Sequence, residues 1–152
     1  MAIETLLIAV GEGDKNRIDA LAQTAIDIAQ PAEARIELVH VFTEEEYRRA
    51  KRSLDFDDQS EVTPAAVAKR YVTIRELGER ITEADVEYGW HGSLSNGISE
   101  SARIVELAET VEADMILVGG RKRSPTGKAV FGSTAQEVLL NSPCPVTFVR
   151  GE

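Results

Sequence analysis

The most informative segment of the chain is DMILVGGRKRSPTGKAVFGSTAQ, residues 114–136. It begins with residues 114–118, in which Asp114 is followed by four apolar residues, a pattern typical of a strand covered on both faces. Gly119 and Gly120 follow the run and predict its end. A helical pattern starts near Ser133 and continues to residue 141. The segment therefore predicts a strand, a glycine-rich loop and a helix, in that order.

This loop has the composition of a phosphate-binding segment. Glycine has no Cβ and lets a ligand approach the backbone closely, and the loop contains Gly119, Gly120, Gly127 and Gly132. Ser133 or Thr134 is expected to cap the next helix, whose unpaired N–H groups attract anions. Four cations lie between the strand and the helix: Arg121, Lys122, Arg123 and Lys128. Together these features predict a local anion site.

Other interpretations of the loop are less favoured. A basic loop can be a solvated segment whose charges only balance nearby carboxylates, but here glycines, a cap and a buried strand coincide. A Walker A loop is excluded, because Ala129 follows Lys128 where that motif requires Ser or Thr. Lys122 also occupies the first glycine position of that motif.

Strand and helix patterns alternate along the rest of the chain. We predict strands at residues 6–10, 35–42, 85–91, 114–118 and 146–149, and helices at 16–29, 64–81, 99–111 and 133–141. Residues 43–46 are expected to be solvated, and 53–61 to form a loop. This alternation predicts one α/β domain over residues 1–152, a three-layer sandwich around a mostly parallel five-stranded sheet with helices on both faces.

Composition narrows the classes of function. A net charge of -9 argues against nucleic-acid binding, which needs a basic face. The acidic chain has 5 Lys against 12 Arg, a balance familiar from proteins of high-salt cytoplasms, so a halophilic source is one hypothesis. Cys144 stands alone and cannot form an internal disulfide. The apolar run near the N-terminus is too short to span a membrane and lacks a basic flank, so we expect a cytoplasmic protein.

The loop resembles the signature of the universal stress protein (UspA) family, G-x2-G-x9-G-[ST]. Gly119, Gly132 and Ser133 stand at matching positions, whereas Lys122 occupies the second glycine position. The resemblance extends over the whole chain, through LLIAV, ELVHVF, EADMILVGG and PCPVTFVR. It implies an adenine nucleotide alpha hydrolase-like fold with strand order 3-2-1-4-5.

The resemblance also implies a ligand and a partner. Many family members bind ATP, so we expect ATP or a related adenine nucleotide, with Mg²⁺ as a candidate companion ion. The implied binding residues are Gly11, Val41, Val118, Gly119, Gly120, Arg121, Lys122, Lys128, Gly132, Ser133 and Thr134. Val41 would lie against the adenine, and residues 118–120 near the ribose. The family also implies a homodimer through the last strand, which begins at Val146 and ends at Val149.

Two alternatives stay open. Nucleotide-binding members place an Asp just after the first strand, where this chain has Gly11, with Asp14 three residues later. That difference and Lys122 favour a member that binds no nucleotide and acts through protein contacts. The second alternative is an NAD-dependent enzyme using Gly11 and Gly13, but Asn16 replaces the third glycine of that fingerprint.

No residue pattern in the sequence identifies a catalytic or metal site. His40 and His91 are far apart and are predicted to be structural. Ser133 has no motif that would identify a base and an orienting partner, so it is expected to cap and to contact phosphate. We therefore expect a regulatory binding protein that is not an enzyme, with at most slow ATP hydrolysis.

Overall fold

The computed structural model describes residues 2–54, 62–121 and 132–151. The strands are β1 Thr5–Ala9, β2 Arg35–Phe42, β3 Tyr88–Leu94, β4 Met115–Arg121 and β5 Val146–Gly151. The helices are α1 Ile18–Ala32, α2 Glu44–Ser53, α3 Pro64–Arg70, α4 Val72–Glu83, α5 Glu100–Thr110 and α6 Ser133–Asn141. A short 3-10 helix, Glu12–Asn16, precedes α1. Within these residues no helix has the length and apolar character needed to cross a bilayer.

The five strands form one sheet in the order β3-β2-β1-β4-β5, and each neighbouring pair is parallel. In the centre, Ile8 of β1 lies between Leu38 of β2 and Leu117 of β4. The predicted α/β class and strand order are confirmed. Because β2 and β3 extend the sheet on one side of β1 and β4 and β5 on the other, the winding reverses between β1 and β4.

The central strand is buried on both faces, as its continuous apolar sequence predicts. Leu6 and Ile8 pack in one core with side chains of α1 and α4. Leu7 and Ala9 pack on the opposite face with side chains of α5 and α6. Helices therefore cover both faces of the sheet, and the carboxyl end of β1 is held between two cores.

Two elements continue through residues that usually end them. Helix α1 includes Pro31 in its last turn and ends at Ala32, and the C-cap residue Glu33 has a left-handed φ of 55°. Strand β4 continues through Gly119 and Gly120 to Arg121, because these residues pair with β5. The predicted end of the strand before Gly119 is therefore wrong.

The edge strand β3 is shifted from its predicted position. It cannot begin at Asp85, whose φ of 58° is left-handed, and it continues through Gly92. A Cβ added to Gly92 would lie 2.6 Å from the carbonyl carbon of Pro64 and 2.8 Å from the Cβ of Ala68. Gly92 is therefore the point at which α3 packs closely on the sheet.

The acidic stretch after β2, predicted to be solvated, is exposed at residues 43–45, but it starts the helix α2 and Glu46 is buried. The Oγ1 atom of Thr43 accepts a hydrogen bond from the Glu46 N–H at 3.1 Å, which caps α2. The side chains of Glu46, Tyr47 and Ala50 are buried. A threonine cap followed by three acidic residues is a helix-start pattern that the sequence does contain. Of the predicted loop, residues 55–61 lie outside the described residues.

The predicted helix at 64–81 is two helices. It starts as predicted, with Thr63 Oγ1 accepting a hydrogen bond from the Ala66 N–H at 3.2 Å. Tyr71 is extended, with φ -68° and ψ 136°, and separates α3 from α4. Its ring stacks on His40 at 4.6 Å between centroids. A tertiary contact therefore sets this break.

We expect the substitution Gly92→Ala to lower the free energy of unfolding by about 1–3 kcal/mol, the usual cost of overpacking. The cause is the backbone of Pro64, which lies where the new methyl group must go. Urea denaturation followed by circular dichroism measures the change. Gly13→Ala is the matched control, since its Cβ would lie at an ordinary 3.7 Å from Arg17 Nη2. Equal stability of the two variants would contradict this packing.

Candidate functional site

A cavity of about 200 Å³ lies at the carboxyl ends of β1, β2 and β4. This is the point at which the winding of the sheet reverses, where open α/β sheets usually bind ligands. Its lining comprises Ala9, Val10, Gly11, Gly13, Asp14, Arg17, Val41, Glu100, Ile104, Val118, Gly119 and Thr134. The cavity therefore combines an apolar wall with three ionisable side chains.

The structure brings together five of the predicted site residues around this cavity: Gly11, Val41, Val118, Gly119 and Thr134. In the described part of the chain, Gly120, Gly132 and Ser133 are not in its lining. Arg121 is the last residue of β4, and its side chain is not described. Lys122 and Lys128 lie outside the described residues.

The start of α6 differs from the prediction that a hydroxyl side chain caps it. Gly132 is the N-cap residue, and Ser133 is the first residue of the helix. No side-chain hydrogen bond caps this end within the described residues. Among the described residues, no side chain therefore accepts a hydrogen bond from the first-turn N–H groups of α6. The positive end of the helix dipole lies beside Thr134, which lines the cavity.

Two glycines of β4 make room for protein side chains. A Cβ at Gly119 would lie 2.8 Å from Asp14 Oδ1 and 2.8 Å from Arg17 Cδ. A Cβ at Gly120 would overlap the ring of Phe148 on β5. These glycines are therefore needed for packing, in addition to any closeness to a ligand.

Asp14 stands beside Gly11, where the resemblance leads one to expect an Asp. The 3-10 helix Glu12–Asn16 turns the chain back, so that the Gly11 N–H donates to Asp14 Oδ2 at 2.6 Å. Asp14 is only 5% exposed. Burial raises the pKa of its carboxyl above the usual 3.8, and the Gly11 N–H and the charges of Arg17 and His40 offset only part of that effect.

Arg17 is the second charged residue of this turn and is not among the predicted site residues. Its Nε lies 3.0 Å from Asp14 Oδ1, and its side chain is 12% exposed. The stem passes Gly119 and Gly151, and a Cβ at Gly151 would lie 3.1 Å from Arg17 Cδ. Glu100 and Ile104 lie one turn apart on α5, whereas Arg17 is far from them in the sequence, so no local pattern connects Arg17 with these two residues.

The two histidines take part in hydrogen bonds, as a structural role requires. His40 is buried, with Nδ1 2.6 Å from the Val10 carbonyl oxygen and Nε2 2.7 Å from Glu46 Oε1. His91 Nε2 lies 2.7 Å from Glu37 Oε2. Among the described residues no cluster of three or more His, Cys, Asp or Glu side chains could hold a metal ion.

His40 links the cavity to α2. The Val10 carbonyl belongs to the cavity wall, and Glu46 lies on α2. Burial pushes the pKa of the Glu46 carboxyl up, but the hydrogen bond and charge of His40, with smaller contributions from Thr43 and Tyr71, bring the pKa below the usual 4.5. Glu46 therefore favours the folded state in its ionised form.

Residues 3–150 match the model of the Universal stress protein family. The chain belongs to the universal stress protein family. The predicted membership is thereby confirmed, and it covers nearly the whole length of the chain.

Individual universal stress proteins are similar to parts or all of the chain. A universal stress protein of Mycolicibacterium smegmatis is 33% identical over 54 residues, which cover 36% of this chain and 42% of that protein. A solved universal stress protein in complex with cAMP has a TM-score of 0.68, with 19% identity and full coverage of both chains.

A second solved structure is the universal stress protein of Archaeoglobus fulgidus in complex with dAMP. Its TM-score is 0.60 and its identity is 22%, with 99% of this chain and 100% of that chain covered. At these identities the likeness shows the fold. It agrees with the strand order that the chain adopts.

We expect Glu46→Gln to lower the free energy of unfolding near neutral pH, because it removes the carboxylate that pairs with His40. The pKa of Glu46 is lowered by folding, so its contribution is present above pH 4.5 and is lost as the pH falls further. Chemical denaturation between pH 3 and 7 should therefore show wild type and variant converging in acid. Glu45→Gln, at an exposed neighbouring position, should show no such convergence. A constant gap would contradict the role of ionised Glu46.

Proposed function

We propose that this universal stress protein binds ATP or a related adenine nucleotide as a regulatory ligand. The observation that carries the proposal is the cavity at the reversal point of the sheet, which combines an apolar wall with the start of α6. A planar base suits the apolar wall, and a phosphate suits the N–H groups at a helix start.

The walls suggest an orientation for the nucleotide. Val41, Ile104 and Val118 form the apolar side of the cavity and would contact the base. Thr134, in the first turn of α6, also lines the cavity, so the phosphates would extend toward the start of that helix. Two proteins of the same fold were solved with cAMP and dAMP, which supports the choice of an adenine nucleotide.

We propose binding without turnover as the main activity. A hydrolase needs a base that is available to a water molecule near the phosphate. The described lining contains two acids, Asp14 and Glu100. The oxygens of Asp14 already face the Gly11 N–H and Arg17, and Glu100 also has an interaction partner. Slow phosphate release, measured with purified protein and Mg-ATP, would be the most that we expect.

A family member that binds no nucleotide is the second candidate. The observation in its favour is size, because about 200 Å³ is below the roughly 300–1,000 Å³ of typical ligand pockets. Asp14 and Arg17 occupy part of this end of the sheet. On this alternative the protein would act through protein contacts.

Thermal melts distinguish these candidates. We expect ATP, ADP or AMP at 100 times its dissociation constant to add about 2.7 kcal/mol of stability. NAD at the concentration used for ATP should change the melting temperature little, unless the protein is the NAD-dependent enzyme of the second alternative. Melts are run at matched ionic strength, with and without Mg²⁺. No shift with any adenine nucleotide would favour the second candidate.

A blocking variant locates the binding. Val41→Phe should abolish the nucleotide shift, because Val41 is 4% exposed and lines the cavity. Val72→Phe is the control, on α4 at a 42% exposed position. The melt without ligand confirms that each variant folds. An undiminished shift in Val41→Phe would place the ligand elsewhere.

We also propose that the protein forms a homodimer through β5. This strand is at one edge of the sheet, so its outer backbone groups can pair with a second copy. Leu139 and Leu140, on the adjacent α6, are 53% and 73% exposed. Gly151 of β5 contacts Arg17 in the cavity wall, which provides a route by which a nucleotide could alter dimer contacts.

Light scattering tests the dimer. We expect wild type to have twice the mass of the chain, and Leu140→Glu to move it toward the monomer because a buried charge weakens an apolar interface. Val72→Glu, at another exposed apolar position, should leave the mass unchanged. A wild-type monomer, or equal masses for both variants, would contradict an interface at this edge.

A further inference from the structure

Arg17 has far more hydrogen-bonding capacity than the described protein uses. A guanidinium carries five N–H donors. Its Nη1 donates to the Gly13 carbonyl oxygen at a long 3.3 Å. Its Nε is buried 3.0 Å from Asp14 Oδ1, yet no acceptor among the described residues is aligned with that N–H. Buried N–H groups in proteins almost always have a hydrogen-bond acceptor, so this one needs an explanation.

Neutralising Asp14 is an incomplete explanation. Arginine pairs most strongly with a carboxylate through two parallel hydrogen bonds. Here Asp14 Oδ2 accepts from the Gly11 N–H instead, and Oδ1 lies 3.0 Å from the Nε of Arg17. The geometry leaves the outer part of the guanidinium for another acceptor.

The position of Arg17 is fixed before any ligand arrives. Its stem fits against Gly119 and Gly151, where Cβ atoms would lie 2.8 Å and 3.1 Å from its Cδ. The side chain is 12% exposed and lines the same cavity as Thr134. A cation held in this way loses little conformational entropy when it binds an anion.

We propose that Arg17 binds the phosphate group of the nucleotide, so that the cavity selects phosphorylated over unphosphorylated nucleosides. This inference rests on the proposed function and adds a residue outside the glycine-rich loop. The phosphate would lie between the guanidinium and the start of α6. Arg17 would then provide a charge-assisted contact that the unphosphorylated nucleoside cannot make.

Calorimetry with AMP and adenosine tests the inference on the full chain. Wild type should bind AMP more tightly than adenosine. Arg17→Met should lower the affinity for AMP at least about tenfold, the scale of one charge-assisted contact. The affinity for adenosine should change less than about threefold. Arg48→Met is the matched control, because Arg48 is 63% exposed on α2 and does not line the cavity. It should leave both affinities unchanged.

Arg17→Lys covers the case in which the methionine variant does not fold. Lysine keeps a positive charge beside Asp14 but lacks the planar, two-pronged guanidinium. The affinity for AMP should therefore fall by less than in Arg17→Met, and the affinity for adenosine should be unchanged. An equal loss of affinity for AMP and adenosine, or no loss of affinity for AMP, would overturn the inference about Arg17. The proposal that the protein binds a nucleotide would still stand. If wild type binds neither ligand, the proposed function fails as well.

Discussion

The burial of β1 on both faces is the constraint on which the rest of this structure depends. Leu6 and Ile8 fill one core and Leu7 and Ala9 the other, so the strand cannot shift by one residue without exchanging the two sets. β2 and β4 pair with it on either side. The carboxyl end of β1 is thereby fixed at the point where the winding reverses, and the cavity opens there.

Close packing around glycines shapes the cavity. Gly119 and Gly151 leave the space in which the Arg17 stem lies, and Gly119 also leaves space for Asp14. The charged pair therefore sits at the ends of β4 and β5, against backbone that a methyl group would displace. The signature glycine Gly119 therefore leaves space for protein side chains. Its missing Cβ would also let a ligand approach the backbone.

Buried polar groups connect the cavity with the outer helices. His40 contacts the Val10 carbonyl on one side and Glu46 of α2 on the other, and it stacks on Tyr71 where α3 and α4 separate. The two hydrogen bonds of His40 satisfy buried polar groups. The end of β1 is therefore supported by hydrogen bonds to α2 in addition to apolar packing.

The amino-acid sequence by itself determined the α/β class, the strands β1 and β2, the helix α6 and the family, because apolar periodicity and the glycine signature are local patterns. It also indicated Gly11, Val41, Val118, Gly119 and Thr134, which line the cavity. Only the tertiary structure decided that Gly92 lies inside a strand, that Tyr71 divides a helix, and that Arg17 joins Asp14 beneath Gly119. These features depend on contacts between residues that are distant in the sequence. A local sequence pattern cannot predict such contacts.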